Sequence, residues 1–244
     1  MTIVCNILNK ATILLLKQFK YTLYLLLFVC NGIYAQQKQI VKEFKEADCI
    51  SKIDDLKKNF EENKIIPNEY ELPCLIALSY YPELSKTKIV FKQKHIRTTM
   101  TSRPPFKVLF QSKKNRTYNI CINNSSILNG ALLSDISFNE QIGVIGHELA
   151  HITDYMKKSK LQLAATFFKY IFNPNFKRRL EAQTDIATIN HGLGWQLYDF
   201  GYFLINKSTV SKKYIKHKQK FYMSALQLFE IILNNPLYNS VISN

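Results

Sequence analysis

Apolar residues recur at three- and four-residue spacing over residues 39–63: Ile40, Val41, Phe44, Ala47, Ile50, Ile53, Leu56 and Phe60, with Lys and Glu between them. That period predicts an amphipathic helix. Pro67 and Asn68 interrupt it, and residues 72–78 read as a short buried helix ending before Pro82. From Lys86 the pattern changes. Residues 87–99 are rich in β-branched side chains in partial alternation (Ile89, Phe91, Ile96, Thr98), which predicts a strand. After Pro104 and Pro105, residues 106–111 and 116–122 flank the basic turn 112–115 and read as a β-hairpin. The period is then mostly helical to the end. Ser137 and Glu140 form a capping box that opens a helix with the stripe Phe138, Ile142, Ile145, Leu149 and Ile152. Asn173 as N-cap and Pro174 at the first position open a second helix, ending near Asn190.

Helices on both sides of a small sheet predict an α+β fold with a mostly helical C-terminal half. The expected domain spans residues 36–244: helical over 36–85, strands over 86–122, further helices over 137–192 and 193–244. The whole chain's 244 residues suit one domain of moderate size, and 47% apolar with 21% charged residues is the balance of a folded chain.

The first 42 residues carry no carboxylate. Lys10, Lys17 and Lys20 precede the apolar run 21–29, which gives way to Asn31-Gly32-Ile33-Tyr34-Ala35. This is the layout of a secretory signal peptide over residues 1–35, and the run is short for a membrane span, which takes about 20 residues. An uncleaved N-terminal anchor is the competing reading. Of five cysteines, Cys5 and Cys30 leave with the leader. In an oxidising compartment a Cys49–Cys74 disulfide is expected, leaving Cys121 outside the pair.

Residues 147–151 are His-Glu-Leu-Ala-His. Four residues apart on a helix, His147 and His151 share a face and can meet one zinc ion. Glu148 lies beside that face, where it can act as general base on water activated by the metal. Gly143, Gly146 and Ala150 are small enough to let another helix approach. A di-iron reading of Glu148 and His151 needs a second E-x-x-H, and the chain has none. A third His at metzincin spacing is also missing. Downstream, Glu181 and Asp185 fall on one face of the helix opened by Pro174.

H-E-x-x-H followed by a helix bearing E-x-x-x-D resembles the gluzincin zinc metallopeptidases, most nearly the M48-type branch. The resemblance covers roughly residues 116–192. It implies a zincin-like fold, one Zn²⁺ per chain held by His147, His151 and Glu181, and Asp185 orienting His147 through its ring N–H. It also implies a substrate-holding edge strand before the active helix, for which residues 116–122 are the candidate. His191 is a possible oxyanion stabiliser, in competition with a helix-capping role and with Tyr155, Tyr198 and Tyr202.

The net charge is +15, or +12 once Lys10, Lys17 and Lys20 are removed. The cations look scattered along the chain and no nucleic-acid-binding signature is present, so nucleic acid is not an expected partner. An apolar stretch, 161–172, is bracketed by Lys157, Lys158, Lys160 and by Lys177, Arg178, Arg179. It reads as a hairpin roofing the active-site cleft, with peripheral contact to an anionic membrane as the alternative. The expected function is an exported peptidase acting on a peptide or protein substrate. Two other readings compete: a catalytically idle zinc-binding protein that engages an envelope partner, and a basic peripheral membrane protein. For export, the expected outcome is a mature chain starting at Gln36, checked by intact mass; a product that keeps residues 21–35 indicates an anchor.

Overall fold

A computed structural model describes residues 39–103, 111–125 and 130–242. The expected signal peptide and residues 106–110 of the expected hairpin lie outside the described residues.

The first periodic segment forms two short helices, α1 (Glu46–Ile50) and α2 (Ile53–Phe60), instead of one helix over 39–63. Hydrogen bonds explain the late start. The Gln196 side-chain amide donates to the carbonyls of Val41 (2.9 Å) and Lys42 (3.3 Å), while the Phe44 N–H donates to Asn139 Oδ1 (2.9 Å). These backbone groups have partners far along the chain, and residues 40–45 remain non-helical.

A strand of two residues, β1 (Lys64–Ile65), precedes α3 (Glu71–Ser79), which is buried from Leu72 to Leu78. Then come β2 (Lys88–Lys94), β3 (Met100–Arg103) and β4 (Thr117–Asn123). The sheet order is β1-β2-β4-β3, parallel except for β3, which runs antiparallel to β4 with Met100 opposite Ile122. Two expectations are corrected here. The strand expected over 87–99 is β2 alone, and the strand expected at the edge, 116–122, is interior. Alternation buries Tyr118, Ile120 and Ile122 on one face, and it carries no information about the two hydrogen-bonding edges. Both edges of β4 are used, and β3 is the outer strand among the described residues.

The remaining elements are α4 (Phe138–Lys157), α5 (Lys160–Phe172), α6 (Pro174–Asn190), α7 (Gly194–Asn206), α8 (Lys212–Phe221), α9 (Ala225–Leu233) and α10 (Asn239–Ile242). Side-chain caps fix where five of them begin, with Ser211 on α8 and Ser224 on α9 beside the three that follow. Ser137 and Glu140 form the expected box on α4, Ser159 and Gln162 form one on α5, and Asn173 Oδ1 accepts the Phe176 N–H at the start of α6. No helix among the described residues is long and apolar enough to cross a membrane.

Most of α4 is buried, on the expected apolar stripe and also on the histidine side. It packs against α3 and β3, and against α6 and α7. Gly143 sits where the α7 backbone crosses: a Cβ there would lie 2.2 Å from the Gln196 carbonyl oxygen. Gly146 faces side chains instead of backbone: a Cβ there would lie 2.7 Å from Leu193 Cδ1 and in ordinary contact with Thr188. A smaller cluster of Ile40, Ile189, Trp195, Leu197, Leu228, Ile232 and Tyr238 packs beneath α9. Cys49 and Cys74 are buried free thiols in the main core, so the expected disulfide is absent. Buried in apolar surroundings, each acts as a small hydrophobic side chain, and burial pushes both thiols up from their ordinary pKa.

Gly143→Ala should therefore destabilise the protein by about 1–3 kcal/mol or more, because the clash is with backbone. Gly201→Ala is the control, since its Cβ would meet only Leu228 Cδ1 at 3.5 Å. It should be neutral or stabilising by about 0.5–1 kcal/mol. Denaturant midpoints of the two variants check both outcomes.

Candidate functional site

Two helices supply the site. His147 and His151 stand one turn apart on α4, and Glu181 faces them from α6 with no solvent exposure. Glu181 Oε2 is 3.2 Å from His147 Nε2 and 3.3 Å from His151 Nε2. A tetrahedral ion with bonds of about 2.05 Å would separate its ligand atoms by about 3.3 Å. The three side chains are thus a buried group that can hold a metal ion.

The outer partners fix how each imidazole presents itself. Thr184, also on α6, donates its hydroxyl hydrogen to the Leu180 carbonyl (2.9 Å). Its oxygen, 3.1 Å from His151 Nδ1, must then accept the ring N–H. That tautomer leaves the Nε2 lone pair directed at Glu181, as a metal ligand requires. Asp185 Oδ1 lies 2.8 Å from His147 Nδ1 and sets the second ring likewise. Asp185 Oδ2 accepts the Met223 N–H (3.3 Å), and Tyr170 donates to Glu181 Oε1 (2.5 Å).

Charge follows from this packing. Burial alone would lower the His147 pKa, but the carboxylates of Asp185 and Glu181 outweigh it and raise the value to about 10. Burial alone would raise the Glu181 carboxyl, and the two imidazoles instead hold it well below the ordinary carboxylate range. The same position can therefore hold a proton between the rings and the carboxylate. A metal ion displaces that proton, so uptake is coupled to pH.

Glu148 is buried beside the two histidines, and the Ser102 N–H on β3 donates to its Oε2 (2.5 Å). Two cavities flank it. One, of about 380 Å³, is lined by His151, Glu181, Tyr155, Phe167, Tyr170 and Phe221 among others. The other, of about 330 Å³, includes His147, Asp185, Leu197, Phe200 and Leu228. Met100, Glu148 and Tyr222 line both, so the metal position and Glu148 lie between the two spaces.

His147, Glu148, His151, Glu181 and Asp185 are brought together, the two histidines by their spacing on α4 and Glu181 and Asp185 in the places the family resemblance implied. His191 is not. It ends α6, where Nδ1 bonds the Ala187 carbonyl (2.7 Å), Nε2 meets Glu83 Oε1 (2.7 Å), and the ring stacks on Tyr81. These contacts hold it away from both cavities, in the capping role. Tyr198 and Tyr202 stack on each other along α7 and line neither cavity. Tyr155 does line the first, stacked on His151. Sequence reasoning missed Thr184, Tyr170, Tyr222 and the Ser102 N–H. Only Thr184 had a signal in the sequence, since it is one turn from Leu180 and next to Asp185 on the helix already singled out.

No family model, no curated protein and no solved structure matches this chain.

Replacing His147, His151 or Glu181 with Ala should abolish stoichiometric metal binding, measured by metal content of the purified protein. Thr184→Val keeps the shape but leaves the His151 ring N–H without its acceptor. Metal affinity should then fall by about 10–100-fold, read by chelator competition.

Proposed function

We propose that this protein is a zinc-dependent peptidase of the gluzincin kind. The observation that carries the reading is the position of Glu148. It is a carboxylate beside a His, His, Glu group yet outside that group, and it lines both adjoining cavities. Metal binding alone has no use for it; general-base catalysis does.

Two imidazoles and one carboxylate suit zinc, and three protein ligands leave a fourth position for chemistry. Zinc, when bound, supplies a Lewis acid that polarises a carbonyl and lowers the pKa of water at the site. The rest falls to the protein. Glu148, steadied by the Ser102 N–H, takes the proton of the attacking water and passes it to the departing amine. Thr184 and Asp185 keep both imidazoles in the ligating tautomer.

Tyr222 is the donor we assign to the developing oxyanion in place of His191. It lines both cavities, its ring centroid is 5.8 Å from that of His147, and burial holds its phenol protonated, well above the ordinary range. The cavities on either side of Glu148 offer apolar walls to side chains flanking the scissile bond, which suits a peptide laid past β3. The acid-free, Lys-flanked N-terminal run supports export.

Glu148→Gln keeps nearly the same shape and should retain zinc while activity on a peptide library drops by about 10²–10⁴-fold. Cleavage by Glu148→Gln at the wild-type rate would remove the mechanism. Zinc-loaded wild type that cuts nothing in the library would leave a zinc-binding protein without catalysis.

A further inference from the structure

The positive charge that looks scattered along the sequence is gathered by the fold. Thirteen of the 33 Lys and Arg lie in residues 155–180 and 200–229, and neither segment contains a single Asp or Glu. The remainder of the chain has 20 Lys and Arg against all 18 carboxylates, a net of only +2. These two segments hold α5, the start of α6, and α8. They adjoin in space: α6 packs on both α5 and α8, Arg178 Nε donates to the Lys220 carbonyl (3.0 Å), and Lys177 Nζ is 3.3 Å from His217 Nε2. Lys157, Lys160, Lys169, Arg178, Arg179, Lys212, Lys213, Lys216 and Lys220 are all exposed.

Beside these cations, α5 is apolar on two faces. Leu163, Phe167 and Tyr170 turn inward and roof the first cavity. Leu161, Ala165, Phe168 and Phe172 share the opposite face, at helical spacing, and all are exposed. Leu161 is 85% exposed and Phe172 76%. A helix that had only to roof the cavity would carry polar residues outside. Large apolar side chains held in water beside two cation-rich segments that carry no carboxylate of their own, with Asp154 at their margin paired to Lys158, fit a partner that is both anionic and able to absorb hydrocarbon.

We propose that the outer face of α5, with the exposed cations of α6 and α8 around it, docks on the surface of an anionic lipid bilayer. Leu161, Phe168 and Phe172 enter the acyl boundary while the lysines and arginines pair with headgroup phosphates. The exposed aliphatic and aromatic residues decide for lipid over nucleic acid, which would be met by the cations alone. This inference concerns the surface and holds whether or not the buried site is a peptidase.

The test is flotation of the mature chain, residues 36–244, with phosphatidylglycerol-containing vesicles and with pure phosphatidylcholine vesicles. Wild type should float with the anionic vesicles only, and the bound fraction should drop when salt rises from about 0.1 M to about 1 M. The triple variant Leu161→Ser, Phe168→Ser, Phe172→Ser should lose more than about tenfold in vesicle affinity with an unchanged melting temperature, because none of the three is buried. Lys212→Gln with Lys213→Gln and Lys216→Gln should also weaken binding and flatten its salt dependence. Three outcomes overturn the proposal: no flotation of wild type, flotation that the triple serine variant retains in full, or a dimer in solution that the same variant converts to monomer. Binding to duplex DNA as tight as to the vesicles and indifferent to the serine changes would point to nucleic acid instead.

Discussion

One oxygen atom, Glu181 Oε2, must stand within contact distance of two imidazole nitrogens on a different helix, and much of the surrounding packing serves that requirement. α4 and α6 bring these groups together by packing closely, and Gly146 leaves room there for the Leu193 side chain that follows α6. Each ring also needs a partner at its far nitrogen, which Thr184 and Asp185 supply from the same helix as Glu181. Burying so many polar groups is costly unless every one is paired. Tyr170 and the Met223 N–H complete the pairing from other elements.

What could be read from the sequence divides along the distance over which the information acts. The pair His147 and His151 is local: four positions on a helix fix a shared face whatever the rest of the chain does. Ser137, Ser159 and Asn173 mark helix starts for the same reason, because a cap needs only its own first turn. Glu181 and Asp185 came into view through resemblance to a family pattern. Tyr170 reaches the site from α5 and Tyr222 from just past the end of α8, and nothing near them in sequence announces that placement. The Ser102 contact is made by a backbone N–H, about which residue identity says nothing.

The misreadings have physical origins too. The period over 39–63 is real, but the carbonyls of Val41 and Lys42 are taken by Gln196 before a helix can use them. The resemblance placed β4 at the edge that β3 occupies, and alternation, to which strand order is invisible, carried nothing to correct it. Charge looked dispersed because the acid-free segments are separated by Glu181, Asp185 and Asp199, all turned to the interior or half-buried, and the fold closes that gap.

The N-terminal arm has one more consequence, for the order in which the molecule is made. The Phe44–Asn139 bond spans 95 positions and the Val41–Gln196 bond spans 155. A ribosome releases the arm first and its anchoring amide more than half a chain later. Contacts so distant in sequence form slowly, since the intervening loop must close before they return any stabilisation. Residues 41–44 are thus among the last to settle, since their partners are complete only once α7 has been synthesised.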